Sequence, residues 1–230
     1  MNAQTSQRFS KLILYSYWRS SCSWRCRLTL NLLKVPFEYQ SINLVNNGGE
    51  NHSDSFHKLN PAQKVPVLEF FDSQTNQTSY LSESSSIIEF LVENFQKESA
   101  GVFLLPLDTV SRAKTRTLYN HIACNIQPIQ NLPVLNKVAE SGVNKADWAN
   151  YWISKGLEAL EELVKETKGK FCVGDNVTLA DVYLIPQLYN ARRFNVQLEK
   201  FPSLLEIEGI LKDLAEFVKA SPENQPDAEK

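Results

Sequence analysis

Residues 11–36, KLILYSYWRSSCSWRCRLTLNLLKVP, hold the reading on which the fold depends. Lys11–Tyr17 has period-two apolar character and aromatic ends, which predicts a strand. The serine-rich turn Ser20–Ser23 follows. Trp24, Leu28 and Leu32 then recur every four residues, which predicts a helix over Trp24–Lys34. Serine is a favoured N-cap because its side-chain oxygen accepts from a free amide of the first helical turn. Pro36 disfavours helical backbone at Val35 and closes the helix there. The stretch therefore reads strand, turn, helix.

Working outward, Phe37–Leu44 is extended again and Asn46-Asn47-Gly48-Gly49 marks a loop. Phe56–Leu59 predicts a short helix closing at Asn60-Pro61, and Val65–Phe71 a strand. A polar turn, Asp72–Ser79, precedes a second strand around Tyr80. Ser84 or Ser85 then caps a helix with Ile87, Leu91 and Phe95 on one face and Ile88 and Val92 beside them. The order is β-α-β-α-β-β-α. From about Ser111 the pattern becomes helical, over Val110–Ile126, Lys145–Thr167, Thr178–Asn190 and Ser203–Lys219, with no strand signal. Thr178-Leu179-Ala180-Asp181 is a capping box with Asp in the Glu/Gln place. Glu98–Asp108, with Gly101 and Pro106, reads as a linker. The expected organisation is an α/β thioredoxin-like domain over 9–97, a linker over 98–108, an all-α domain over 109–222 and a mobile tail over 223–230.

The whole chain has 230 residues, and its 24 Lys and Arg against 26 Asp and Glu leave a net charge of −2. That balance gives no long-range attraction for nucleic acid or anionic lipid. With 43% hydrophobic and 22% charged residues, the chain can build a core and does not read as disordered. Four cysteines without an apolar signal segment argue against a disulfide-stapled secreted module. The longest uncharged run, Thr117–Asn136, is too rich in Asn, Gln and Pro to be a membrane span. A soluble, cytoplasmic protein is expected.

The strongest chemical signal is the turn Arg19-Ser20-Ser21-Cys22-Ser23-Trp24-Arg25. Free amides and the positive end of a helix dipole converge there and suit an anion, a thiolate included. The same serines also read simply as a helix cap. Cys22 and Cys26 are three residues apart, which is not the spacing of a thioredoxin-type redox pair. They lack partners for a metal site, so Cys26 reads as a buried thiol and Cys22 as a single reactive one. Asn60-Pro61-Ala62-Gln63-Lys64-Val65-Pro66 is the second signal. With a cis bond before Pro66, the backbone of Val65 would face a ligand and pair with it like another strand. Third, the Ser84 amide at a helix start suits a carboxylate and Glu83 an ammonium; together they describe the end of an amino acid. Arg192-Arg193 reads as a solvated face or as a cation for a ligand carboxylate. His52, His57 and His121 show no metal-ligand spacing, and no nucleophile-elbow, zinc-protease or phosphate-loop motif is present.

Taken together, these signals resemble the glutathione transferases, and in particular their zeta class, the maleylacetoacetate isomerases. The carrying segments are SYWRSSCSWRCR (16–27), INL (42–44), LNPAQKVPVLE (59–69), ESSSIIEFL (83–91), IQPIQNLPVL (126–135) and CVGDNVTLADVYLIPQ (172–187). The resemblance implies that Ser20, Ser21, Cys22, Ser23, Trp24 and Arg25 hold glutathione, with Ser20 or Ser21 on its sulfur and Cys22 beside them in the catalytic set. It implies that Val65 pairs with the cysteinyl backbone, that Glu83 and Ser84 take the γ-glutamyl end, and that Gln127 and Asn131 complete the pocket. Asn51 would reach the glycine end, and Arg19 and Arg193 would anchor a small acidic substrate.

The implied reaction is the glutathione-dependent conversion of maleylacetoacetate to fumarylacetoacetate in tyrosine and phenylalanine catabolism. Dehalogenation of α-haloacids such as dichloroacetate is the implied side activity, and a homodimer the implied assembly. Three departures from the family pattern stand out: Cys26 where an aliphatic residue is usual, Glu83 in place of glutamine, and Asn51 opposite a usual glutamine. A general detoxifying transferase and a catalytically silent glutathione-binding protein are the competing readings.

Overall fold

A computed structural model describes residues 8–96 and 103–229. It divides into two compact units, Met1–Val102 with Ala215–Lys230, and Phe103–Leu214. Residues 97–102, at the expected end of the first domain and start of the linker, lie outside the described residues.

The first unit runs β1 (Phe9–Ser16), α1 (Ser21–Leu32), β2 (Glu38–Ser41), α2 (Asp54–Leu59), β3 (Val67–Asp72), β4 (Gln77–Ser82) and α3 (Ser84–Phe95). The expected order is realised. The sheet order is β2-β1-β3-β4, with β1 and β2 parallel and the other two pairings antiparallel. This is the thioredoxin-like arrangement. Leu14 and Leu68 pair across β1 and β3 and are fully buried, as are Leu28 of α1 and Ile87, Ile88 and Leu91 of α3. Removal of that apolar surface from water is what holds the helices to the sheet.

α1 starts three residues earlier than the apolar repeat indicates. Ser20 has extended backbone and its hydroxyl accepts from the Ser23 N–H at 3.2 Å, so the helix begins at Ser21. Nearly every residue of α1 is buried, Arg25 and Arg27 included. α3 packs against it, and so does a helix from the far end of the chain, α9 (Ala215–Ala220).

That last contact corrects two expectations. The helix expected over Ser203–Lys219 is two helices, one in each unit, separated at Lys212–Leu214. The tail expected to be mobile is fastened to the first unit. Asp227 accepts from the Trp18 N–H at 3.1 Å and from the Tyr39 hydroxyl at 2.6 Å, and Ala228 packs on the cluster around Trp18 and Val65. Arg27 donates to the Ala220 carbonyl at 3.1 Å. Burial pulls the Arg27 pKa down to about 10, so its cation persists at neutral pH. By its contacts Ala215–Lys230 clusters with the first unit, and the all-α unit runs Phe103–Leu214.

The second unit is all helical: α4 (Thr109–Asn120), α5 (Leu132–Glu140), α6 (Lys145–Lys165), α7 (Leu179–Arg193) and α8 (Pro202–Leu211). α4 continues through a π turn, His121–Ile126, into a 3₁₀ turn, Gln127–Gln130. α5 was not anticipated. Its Pro133 lies in the first helical turn, where a missing N–H costs nothing. The capping box is formed: the Asp181 carboxylate accepts from the Thr178 N–H at 2.7 Å, the Thr178 hydroxyl at 2.9 Å and the Cys172 N–H at 2.9 Å. The buried Glu161 carboxylate caps the start of α8, accepting from the Ser203 and Leu204 amides. Gly156 allows α6 to approach Ile126, whose Cγ1 would stand 2.4 Å from an added Cβ. No helix among the described residues is long and apolar enough to cross a membrane.

Candidate active site

Sheet register brings the three chemical signals of the sequence to one place. Tyr15 of β1 pairs with Val67 of β3, and Val67 pairs with Ser82 of β4. The chain leaving β1, the chain entering β3 and the chain leaving β4 consequently meet at one end of the sheet. There stand the turn from Trp18 to Ser23, the Val65–Pro66 peptide, and Glu83-Ser84 at the start of α3. The Val65–Pro66 bond is cis, as expected.

At the first of these, the Ser20 carbonyl accepts from the Trp24 N–H at 2.9 Å and the Ser20 hydroxyl from the Ser23 N–H. The amides of Ser21 and Cys22, the first two of α1, have no carbonyl four residues back inside the helix. Together with the helix dipole they make a place for negative charge. Ser20 and Cys22 are half-buried and Ser21 is buried. The Ser20 hydroxyl has spent one acceptor lone pair on the cap, and its proton is still available to donate.

Arg25 lies one turn further in and is buried. Its Nη1 stands 3.8 Å from the Cys22 sulfur and 3.5 Å from the Ser84 hydroxyl, so a cation lies between the starts of α1 and α3. The Cys26 thiol lies 3.9 Å from the Ser84 carbonyl, and burial pushes its pKa far up, which keeps it protonated. All four cysteines are free.

Glu83 is the N-cap of α3, with φ +65° and ψ +117°, a conformation that L residues rarely adopt. Its carbonyl accepts from the Ile87 N–H at 3.0 Å, and its exposed carboxylate makes no cap bond. The sequence reading placed the cap at Ser84 or Ser85; the structure places it at Glu83, with Ser84 as the first helical residue.

Asn51 is buried near the loop before Pro66. Its Nδ2 donates to the Gln63 carbonyl at 2.9 Å and lies 3.3 Å from His52 Nε2, while its Oδ1 is buried without a partner. Part of its amide is thus committed to the loop. Arg19 lies with its guanidinium 5.0 Å from the Trp18 ring centroid. In the second unit, Gln127 opens the 3₁₀ turn, and Asn131 caps α5 by accepting from the Leu132 N–H at 2.9 Å. Arg193, in the last turn of α7, lies 5.4 Å from the Phe194 ring centroid. Arg192 is a bidentate partner of Glu208.

Two further residues shape this end of the sheet, one inside the second sequence signal and one that the sequence does not point to. Asn60 shapes the approach to Pro66, donating to the Lys64 carbonyl at 2.8 Å and accepting from the Ala62 N–H at 3.0 Å. The Asn-Pro pair was the available signal. Asp227 had no such signal, because its partners are remote in sequence.

Residues 19–94 fit the model of the glutathione S-transferase N-terminal domain and residues 127–223 that of the C-terminal domain. A probable maleylacetoacetate isomerase 2 of Drosophila melanogaster is 43% identical over 215 residues, spanning 94% of this chain and 89% of that one. The maleylacetoacetate isomerase of Anaeromyxobacter dehalogenans 2CP-1, solved with bound glutathione, is 41% identical with a TM-score of 0.85, over 96% of this chain and 99% of that one. The same protein was solved with dicarboxyethyl glutathione and citrate in its active site, at 40% identity and TM-score 0.84, over 97% and 99% of the two chains. A bacterial maleylpyruvate isomerase described as a zeta-class glutathione S-transferase is 36% identical with a TM-score of 0.84, over 94% and 100%. With both domain models matched and relatives of this identity along nearly its full length, the chain belongs to the glutathione S-transferase family, in its zeta-class branch.

Proposed function

We propose that this protein is an enzyme that isomerises maleylacetoacetate to fumarylacetoacetate with glutathione. The observation that carries the reading is the meeting, at one sheet end, of the α1 start, the Val65 backbone and Glu83-Ser84. These groups fit the tripeptide in turn: donors for a thiolate, a strand-like backbone for the cysteinyl residue, and an acid beside a helix amide for the γ-glutamyl ammonium and carboxylate. When bound, glutathione would supply a thiolate for reversible addition to the cis double bond, which would become a single bond free to rotate until the thiolate is expelled.

The chain's own residues position and stabilise. Ser20 or Ser21 donates a hydrogen bond to the sulfur, and the Ser21 and Cys22 amides and the α1 dipole favour its negative charge. Arg25 adds a buried cation next to Cys22. By the resemblance, Arg19 would anchor a carboxylate of a small acidic substrate, and Arg193, Gln127 and Asn131 are the residues of the second unit that it implies for ligand binding. The same thiolate would displace halide from α-haloacids such as dichloroacetate. A role in tyrosine and phenylalanine catabolism, a cytoplasmic location and a homodimer follow from the resemblance that supports this reading.

The test is isomerisation of maleylacetone, a stand-in substrate, with and without glutathione, by the native protein and by Ser20→Ala and Ser21→Ala. Glutathione-dependent turnover that collapses in one serine variant is the expected result. Glutathione binding without turnover would leave a silent binder or a transferase for other electrophiles, which a panel of electrophiles separates.

A further inference from the structure

The C-terminal segment touches both halves of the proposed glutathione site. Asp227 Oδ2 accepts from the Trp18 N–H at 3.1 Å, and Asp227 Oδ1 accepts from the Tyr39 hydroxyl at 2.6 Å. On the other side of the same residue, Arg27 Nη2 donates to the Trp18 carbonyl at 2.9 Å, and Arg27 Nη1 donates to Tyr17 O at 3.3 Å. Arg27 Nε donates to the Ala220 carbonyl at 3.1 Å. Trp18 is therefore held at its N–H by the tail and at its C=O by an arginine that also holds the last residue of α9. Two residues later comes Ser20. Ala228 meanwhile packs on the cluster of Tyr17, Trp18, Phe56, Val65 and Val67, which joins the chain leaving β1 to the segment that enters β3.

We propose that Asp227 is a positioning residue for glutathione, and that residues 227–228 form a strap fixing the Trp18–Ser20 backbone and Val65 at the spacing the tripeptide requires. The inference rests on the reading of this site as a glutathione site. A carboxylate bonded to both a backbone N–H and a hydroxyl on β2 is held in one place, and it transmits that fixity to the peptide before the sulfur-binding turn. Without it the turn keeps its own cap, the Ser20–Ser23 bond, but loses its registration against Val65. The cost falls on binding and orientation, not on the chemical groups themselves.

The experiment measures glutathione affinity by calorimetry, steady-state kinetics with maleylacetone, and amide hydrogen exchange over residues 18–25, in native protein and in Asp227→Ala, Asp227→Asn and Tyr39→Phe. Asp227→Ala is expected to raise the glutathione Kd and KM about tenfold, with kcat at saturating glutathione within about twofold and exchange over 18–25 accelerated. Asp227→Asn keeps an acceptor for the Trp18 N–H and restores most of the affinity. Tyr39→Phe frees one carboxylate oxygen and gives an intermediate effect; it also carries the test should Asp227→Ala not fold. Asn224→Ala, at a residue whose side chain bonds to the Val218 carbonyl of α9 and to the Ser221 hydroxyl, leaves the affinity unchanged. A lower unfolding midpoint with unchanged glutathione Kd and KM would overturn the strap and leave the tail a purely structural cover. Native protein that binds glutathione without isomerising maleylacetone refutes the isomerase reading, while the affinity and exchange arms still decide the strap. Native protein that binds no glutathione overturns both.

Discussion

Arg25, one turn inside α1, reaches across to the start of α3 and donates to the Ser84 hydroxyl at 3.5 Å, with its guanidinium also 3.8 Å from the Cys22 sulfur. One buried cation thus serves the two helix starts that frame the proposed site. Both contacts are made by Nη1 at the end of a rigid, planar guanidinium, a placement that the shorter, flexible stem of a lysine ammonium does not reproduce. Arg25→Lys is therefore expected to lower kcat/KM for glutathione by about ten- to a hundredfold, or roughly 1.4–2.7 kcal/mol of transition-state stabilisation, with the far-ultraviolet spectrum unchanged. Unaltered kinetics in a folded Arg25→Lys protein would show that the cation only fills space.

Ser20 and Ser21 separate by what each already does. The Ser20 hydroxyl caps α1, so Ser20→Ala is expected to cost about 1 kcal/mol of stability, while Ser21→Ala, which touches no cap bond, leaves the unfolding free energy nearly unchanged. The variant that loses the sulfur's hydrogen-bond donor also shows an acid limb of kcat/KM displaced to higher pH, because its bound thiol ionises less readily. Denaturant unfolding and a pH–rate profile on both variants check the assignment. A serine variant with reduced stability and an unshifted profile is a cap alone.

Asp108 offers a pH test in the helical unit. Its carboxylate accepts from the Ser111 N–H at 2.7 Å at the start of α4, and that bond holds its pKa below the usual carboxylate range. A depressed folded pKa means the stabilisation is fully present above the unfolded value of about 3.9 and is lost as pH falls through the folded one. Asn caps a helix as well as Asp but does not titrate or complement the dipole. The native protein is expected to be more stable than Asp108→Asn at neutral pH, and the advantage to vanish on acidification below about pH 4. Thermal midpoints of both proteins across that range measure it; a pH-independent difference contradicts the charge–dipole account.

What the sequence reveals of this molecule is what local chemistry controls. The Ser20 cap, the strand after Pro66, the start of a helix near Ser84 and the Thr178 capping box are all legible, because each depends on residues within a few positions of one another. The placement of α9 and the tail is not. Asp227 is one acid in a polar run, SPENQPDAEK, with no periodicity, and its partners Trp18 and Tyr39 are 209 and 188 residues away. α5 is also not legible, because its Pro133 suits a helix only when that helix begins at Leu132. The near-complete burial of α1 likewise depends on a helix that arrives from the other end of the chain.

Glu83 joins backbone strain to the proposed chemistry. An L residue at φ +65° and ψ +117° costs about 1–3 kcal/mol, a cost glycine largely avoids. Glu83→Gly is therefore expected to gain about 0.5–1 kcal/mol of stability while it removes the carboxylate that would take the γ-glutamyl ammonium. Glu83→Gln keeps the backbone strain and the shape but removes the charge. If the acid binds that ammonium, both variants lose glutathione affinity to a similar extent, by about ten- to a hundredfold, and only the glycine variant is stabilised. Paired unfolding curves and glutathione titrations decide it. An affinity retained in Glu83→Gln and lost in Glu83→Gly would mean that the backbone geometry, and not the charge, is what this position contributes.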